Sequence, residues 1–401
     1  MTLRNTISLN EALRYQQYHN FSLLIKPCGS RCNLSCHYCY YIDKNSSSNT
    51  MSLETLEIIT RQYLEIHPGP IVTFNWHGGE PLLAGISFYR KALEYQKKHA
   101  KNKTIENTLQ TNGTLLNDEW AQFFTDNNFL LGVSIDGPKH LHDKRRRNIA
   151  NSDSWEHVIK GLETLYKAGS SYNLLTTVND VNQNHGLEVY DFLKKLGTPF
   201  IQFLPVAEVI TNNKITTPDD IQGNIAPWAV SPQGYGTFLC EVFDHWVRHD
   251  VAQYYIGIFD ATLAKMLHLP AGTCSYEESC GNNLVVENNG DVFCCDHFVY
   301  DSHYIGNITD TTLSKILSSD KLIQFGLCKK TQLSDRCISC NFLQLCHGGC
   351  PKHRFGIKNH NNYLCEGMQY FYNHTLPYFK YMAQEIRDNR APANVMKLFK
   401  Q

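Results

Sequence analysis

The chain has 401 residues, 42% of them hydrophobic and 12% aromatic, enough apolar side chain to bury a large core and to exclude general disorder. Lys plus Arg number 37 against 38 Asp plus Glu, a formal net charge of -1, so no basic field points to nucleic acid or an anionic membrane. No run reaches the roughly 18 apolar residues of a spanning helix, and the N-terminus lacks the apolar core of a signal peptide. The chain is therefore expected in the cytoplasm, with no nucleic-acid and no membrane partner.

In chain order, residues 1–20 read as an N-terminal extension. From 21 to 206 six β-rich runs alternate with amphipathic helical stretches: Phe21 to Lys26, Ile71 to Trp76, Thr104 to Leu109, Phe129 to Ile135, Tyr172 to Val178 and Phe200 to Val206. Ser52 is placed to cap a helix whose Leu56, Ile59 and Tyr63 form one apolar stripe. Asn117-Asp-Glu-Trp and Ser154-Trp-Glu-His are expected to open two more helices in the same way. Strand–helix alternation predicts an α/β fold with a parallel sheet, whose sites lie at the C-terminal ends of the strands. Residues 207–269 follow as a linker and helical connection, with an aperiodic excursion over 207–233 and a helical stretch from about Tyr235 to Leu269. Ten of the fifteen cysteines then lie between 274 and 365, so the region 270–370 is expected to owe its fold to metal clusters rather than to apolar burial. A C-terminal helix is expected over 371–401.

A reducing cytoplasm disfavours disulfides, and the close spacing of the cysteines suggests metal ligation. Cys32, Cys36 and Cys39 stand as CxxxCxxC just after the first β run. Three such thiolates can cap three irons of a cubane and leave the fourth iron open to a substrate or cofactor; the alternative is a zinc knot completed by His37 or a distant cysteine. This loop in this place resembles the radical S-adenosylmethionine (radical SAM) enzymes, built on a partial (β/α)6 barrel. The resemblance implies a [4Fe-4S] cluster whose open iron chelates S-adenosylmethionine, which one electron cleaves to a 5′-deoxyadenosyl radical. His77-Gly-Gly-Glu-Pro81 is similar to the family's GGEP motif, in which Gly78 and Gly79 let the backbone approach the methionine amino group and Glu80 supports it. Gln110-Thr-Asn-Gly113 ends the third run, and Ser134-Ile-Asp-Gly-Pro138 ends the fourth, where the family contacts the ribose and Ser134 is the candidate. Arg145 to Arg147 reads as a solvated charge run, or, through the family's HDxxR spacing from His142, as a source of Arg146 for a carboxylate.

The later cysteines read CxxxxxC at Cys274 and Cys280, GxxxxC from Gly290 to Cys295, CxxCxxxxxCxxxC through Cys337, Cys340, Cys346 and Cys350, then Cys365. This ladder resembles the SPASM domain that follows some radical SAM barrels; two zinc ribbons are the alternative. The resemblance implies two interleaved auxiliary [4Fe-4S] clusters, a nearer one on Cys274, Cys280, Cys295 and Cys350 and a farther one on Cys337, Cys340, Cys346 and Cys365, making three clusters in all. Cys28, Cys240, Cys294 and Cys328 are surplus, and Cys294 yields to Cys295 only through the GxxxxC count.

Val292-Phe-Cys-Cys-Asp-His-Phe-Val-Tyr300 with Gly306-Asn-Ile308, together with Lys26-Pro27 and the strand-end motifs, resembles the anaerobic sulfatase-maturating enzymes. That resemblance implies a sulfatase polypeptide substrate, with a motif of the Cys-x-Pro-x-Arg type or its Ser counterpart oxidised to Cα-formylglycine, and an electron donor such as flavodoxin or ferredoxin. Asp296 is then the general base, and Tyr41 and His77 match positions that contact the peptide. Family members carry Gln in place of His77, a departure that bears on substrate recognition. A sister class forms thioether or carbon crosslinks in ribosomal peptides, often with an added leader-recognition domain, for which about twenty residues before the first strand are too few.

Overall fold

The computed structural model describes residues 21–41, 49–355 and 361–399. All six expected strands form: β1 (Ser22–Ile25), β2 (Ile71–Trp76), β3 (Thr104–Thr111), β4 (Leu130–Ser134), β5 (Ser171–Val178) and β6 (Phe200–Pro205). They pair in sequence order, each parallel to the next, with helices between them, and so build the parallel α/β sheet that the alternation implies, in the strand order of the partial barrel that the resemblance implies. Side chains alternate across a strand. Val72, Phe74, Trp76, Leu109, Leu131, Val133 and Leu174 are buried in the core, each contributing about 1.5–3 kcal/mol. The alternate positions are polar and bond along the other face: Thr108 Oγ1 donates to Asn75 Oδ1 at 2.9 Å and Gln110 Nε2 to Ser134 Oγ at 3.0 Å.

Two of the expected caps form, Ser52 Oγ accepting from Thr55 N at 3.0 Å and Asn117 Oδ1 from Trp120 N at 2.9 Å. The third differs. Ser154 Oγ donates to Arg146 O at 2.7 Å and lies 3.0 Å from His142 Nε2. The helix Trp155–Ala168 is capped instead by Asp143 Oδ1, which accepts from Ser154 N and Trp155 N, both at 3.0 Å.

Beyond the barrel the structure adds strands that the sequence did not announce. The excursion over 207–233 carries a small antiparallel sheet of β7 (Val209–Thr211), β8 (Lys214–Ile215) and β9 (Asn224–Ile225), with β7 central. The helical connection is broken into Pro232–His249 and Gly257–Met266 by β10 (Tyr255–Ile256), which pairs parallel with β6. The cysteine-rich region also contributes apolar burial. Its β11 (Asn283–Val286) pairs parallel with β1, from Ser22↔Asn283 to Ile25↔Val286, and β12 (Asp291–Phe293) and β13 (Tyr304–Asn307) extend the sheet antiparallel. Leu284, Val286, Val292, Ile308, Leu313 and Ile316 are buried. The expectation that clusters alone organise 270–370 therefore fails over 283–316, where short apolar runs complete an existing sheet edge. The last helix starts at Cys365 rather than 371 and runs to Arg387. It crosses Pro232–His249 where two glycines meet: a Cβ on Gly367 would lie 1.8 Å from Pro232 O, and one on Gly236 would lie 2.5 Å from Gly367 O.

Candidate active site

The loop after β1 is pinned by backbone bonds before any ligand is considered. Gly79 N donates to Gly29 O at 2.8 Å, Glu80 N to Arg31 O at 2.9 Å, Ser35 N to Arg147 O at 2.7 Å and His37 N to Arg145 O at 2.9 Å. The paired glycines are needed for this seam: Gly78 has φ +129°, and a Cβ on Gly79 would sit 2.2 Å from Arg31 O. The seam holds Cys32, Cys36 and Cys39 together. Burial pushes the Cys36 thiol up to about 12, with Cys39 and Cys32 adding to it, and Cys32 up to about 11. Buried thiols held neutral become good ligands once a metal takes the proton's place. Asn112 Nδ2 lies 3.7 Å from Cys32 Sγ. His37 is exposed, and among the described residues no three His, Cys, Asp or Glu side chains gather round a position for one metal ion. With His37 exposed, the loop offers three thiols, which fits three irons of a cluster and leaves a tetrahedral zinc one ligand short within the loop.

The strand-end motifs surround this loop. Glu80 is fully buried and accepts from Leu82 N at 3.0 Å, Thr111 Oγ1 at 2.8 Å and Asn112 N at 2.8 Å, while burial pushes its carboxyl up to about 7. Its bonds tie the end of β2 to the end of β3. Ser134 is buried at the end of β4. Arg146 is buried too, its Nε 3.0 Å from Asp136 Oδ2 and its Nη2 donating to Thr177 Oγ1 at 3.2 Å. Burial works against its charge, and Asp136 overrides burial to raise its pKa. Tyr38 donates to the same Asp136 carboxylate. The basic run is not simply solvated: Arg145 pairs with Asp180 and Arg147 with Asp153.

The later cysteines fall into two groups. Burial raises the pKa of Cys295, Cys350 and Cys346, and neighbouring thiols add to it: Cys350 and Cys274 at Cys295, Cys274 and Cys280 at Cys350, and Cys337, Cys340 and Cys365 at Cys346. The thiols thus gather in the same two groups that the SPASM resemblance implies as ligand sets. Cys294 is fully buried in the apolar core.

Asp296 sits between the two halves of the site. Its Oδ1 is 2.5 Å from Lys26 Nζ, and Tyr40 donates to its Oδ2. Burial pushes Asp296 upward, but Lys26, followed by His77 and His297, holds it well below the usual carboxylate range. Lys26 is fully buried, with Nζ also 3.7 Å from Glu287 Oε1 and 3.3 Å from the centre of the Tyr41 ring. Tyr41 donates to the other Glu287 oxygen. His77 is half-buried near Asp296, its Nδ1 accepting from Gly78 N at 2.8 Å. Motif reading missed Lys26, Tyr40 and Glu287 as members of this group. A lysine closing an apolar strand run is the one signal that singles out Lys26; Glu287 owes its place to the pairing of β11 with β1.

A partial barrel with a three-thiol loop at the mouth and two further thiol sets defines a class. The Radical SAM superfamily model matches residues 27–193, and that of the SPASM iron–sulfur cluster-binding domain matches 274–341. The chain is 41% identical to the serine-type anaerobic sulfatase-maturating enzyme of Bacteroides thetaiotaomicron, over 94% of this chain and 95% of that one. It is 32% identical to the cysteine-type enzyme of Clostridium perfringens, over 91% and 99%. A solved structure of native anSMEcpe with AdoMet and a Cp18Cys peptide bound has a TM-score of 0.83 at 32% identity, covering 91% of this chain and 99% of that one. The chain belongs to the anaerobic sulfatase-maturating enzymes, radical SAM enzymes that modify proteins and act on sulfatases. Among the described residues no helix is long and apolar enough to cross a membrane.

Proposed function

We propose that this chain oxidises a cysteine or serine side chain of a sulfatase to Cα-formylglycine, with Asp296 as the general base. The observation that carries the reading is the placement of the Asp296 carboxylate, next in sequence to Cys295 and ion-paired with the buried Lys26. When bound, S-adenosylmethionine and three [4Fe-4S] clusters supply hydrogen-atom abstraction from the substrate Cβ and an outlet for the second electron. Cys32, Cys36 and Cys39 hold the first cluster, with Gly78, Gly79, Glu80, Ser134 and Arg146 shaping the cofactor's bed. The nearer set through Cys295 and the farther set through Cys365 hold the other two. Asp296 takes the proton of the substrate SH or OH, which makes the adjacent carbon radical easier to oxidise. Lys26 keeps Asp296 ionised until the substrate arrives; half-buried His77 faces the peptide, and Tyr41, buried with its hydroxyl on Glu287, reaches it only by giving up that bond. For cysteine, water then hydrolyses the thioaldehyde and sulfide leaves; for serine the aldehyde forms directly. The 41% identity to a serine-type enzyme favours serine. A flavodoxin or ferredoxin supplies electrons, and the reaction runs in the cytoplasm.

The test is anaerobic incubation of iron-reconstituted protein with reductant, S-adenosylmethionine and a peptide bearing Ser-x-Pro-x-Arg or Cys-x-Pro-x-Arg. An aldehyde-mass product is expected. Asp296→Asn should still cleave the cofactor while losing about 10²–10⁴-fold of product formation; unchanged product removes Asp296 as base. Deoxyadenosine without aldehyde from either peptide favours the crosslinking class.

A further inference from the structure

Five cationic side chains beside the proposed ligands are almost fully enclosed, and they divide into two kinds. Lys26, Lys352 and Arg146 each have a carboxylate at close range, Asp296 at 2.5 Å, Glu208 at 3.0 Å and Asp136 at 3.0 Å. Lys329 and Arg354 do not. Lys329 is 0% exposed, and its Nζ donates to the carbonyl oxygens of Cys274 at 2.8 Å and Ser275 at 3.0 Å. Arg354 is 5% exposed, and its guanidinium donates to Lys329 O at 2.8 Å, His347 O at 3.1 Å and Gly348 O at 3.3 Å. Among the described residues the hydrogen-bond acceptors of these two cations are neutral carbonyls, and neither cation forms an ion pair with a carboxylate. Burying a charge without a counter-charge is strongly unfavourable, so the fold must supply negative charge nearby.

The negative charge available is that of the thiol sets. Lys329 lies in the field of Cys280, Cys350 and Cys274, all of the nearer set. Arg354 lies in the field of Cys337 and Cys346 from the farther set and of Cys280 and Cys350 from the nearer one. A four-iron cluster on four thiolates is a net anion, and one-electron reduction adds a further negative charge. A fixed cation in a low-dielectric site favours that reduced state.

Resting on the reading that each set carries a cluster, we infer that Arg354 and Lys329 are the built-in counter-charges of the two auxiliary clusters, Arg354 shared between both and Lys329 serving the nearer. They act as positioning residues for charge: they raise the clusters' readiness to accept the single electron that leaves the substrate carbon, and they touch neither substrate nor S-adenosylmethionine.

The experiment is an anaerobic redox titration of the iron-reconstituted full chain, followed by electron paramagnetic resonance. The first cluster is identified by its response to added S-adenosylmethionine. Arg354→Gln should lower the midpoints of both remaining clusters, changing the reduced-to-oxidised ratio about tenfold at fixed potential, equivalent to about 59 mV for a one-electron couple. Lys329→Met should lower one of the two. Arg354→Lys keeps the charge and should stay close to wild type. Unmoved midpoints in Arg354→Gln at full iron content overturn the inference, as does an equal shift in Arg354→Lys. If Arg354→Gln sheds iron, retention by Arg354→Lys supports the charge role, and loss by both overturns it in favour of a structural brace. Wild-type protein without three four-iron clusters defeats the cluster reading itself, a separate result.

Discussion

The cysteine loop after β1 and the cysteines beyond 335 offer the same donor atom, yet different forces hold them. The first loop rests on a finished parallel sheet: its backbone is bonded to the turn after β2 and to Arg145 and Arg147 beyond β4, and the strands beneath it bury Trp76, Leu109 and Val133. The farther set stands on the four-residue helices Asp335–Ile338 and Leu343–Cys346 and the first turn of Cys365–Arg387, short elements with Leu345 and Leu364 buried beside them and the Arg354 cation close by. The comparison teaches that an open, reactive site is best set on a rigid apolar scaffold, whereas a closed electron-transfer site can lean on its own ligands.

Removing iron tests this contrast most severely. With a chelator present, amide exchange over 335–353 should lose nearly all protection, while β2 to β5 keep theirs, as hydrogen-exchange mass spectrometry would show. Simultaneous loss in both regions breaks the comparison. A smaller effect probes the seam between them. Lys26→Met strands the Asp296 and Glu287 carboxylates in a buried site and should cost about 3–5 kcal/mol in urea unfolding. The double variant Lys26→Met with Asp296→Asn should recover part of that loss, because the two residues share one ion pair. A loss below about 1 kcal/mol for Lys26→Met would mean that other donors satisfy the carboxylates.

The smallest effect belongs to the barrel alone. His142 is fully buried, its Nδ1 accepting from Asp136 N at 3.2 Å, and burial lowers its pKa to about 3 from 6.5. Below pH 6.5 the unfolded chain binds a proton that the native one refuses. The stability this neutral ring contributes is therefore complete above 6.5 and is lost as pH falls from there toward about 3, at up to about 1.4 kcal/mol per pH unit. Urea unfolding at pH 6.5 and 5.5 should show a shallower fall for His142→Gln than for wild type; equal slopes would place the proton uptake elsewhere.

The barrel was legible because its strands are long enough for period-two alternation and its helices carry side-chain caps. Ser52 and Asn117 behaved as isolated sequence signals. Ser154 did not, because Asp143, on the preceding helix, reached its backbone first. The short strands β7 to β10 gave no readable period, and β11 to β13 were hidden by the cysteine and glycine composition around them. In the site, cysteine spacing identified thiols that the fold brings together, and the GxxxxC count agreed with the separate placements of Cys294 and Cys295. Lys26, Tyr40 and Glu287 escaped because their association is created by β11 lying against β1, a contact between distant segments. Asp136 stood inside a motif read for Ser134, and its link to Arg146 and Tyr38 needs the folded turn.

That pairing of β11 with β1 also orders events in time. Ser22 and Asn283 are partners 261 residues apart, so at about 5–20 residues per second a ribosome delivers the second roughly 13 to 52 seconds after the first. During that interval the opening strand has a bare outer edge, the kind of surface that recruits strands from other molecules. The catalytic half and the electron-handling half thus share a wall, and neither is a module that translation completes by itself.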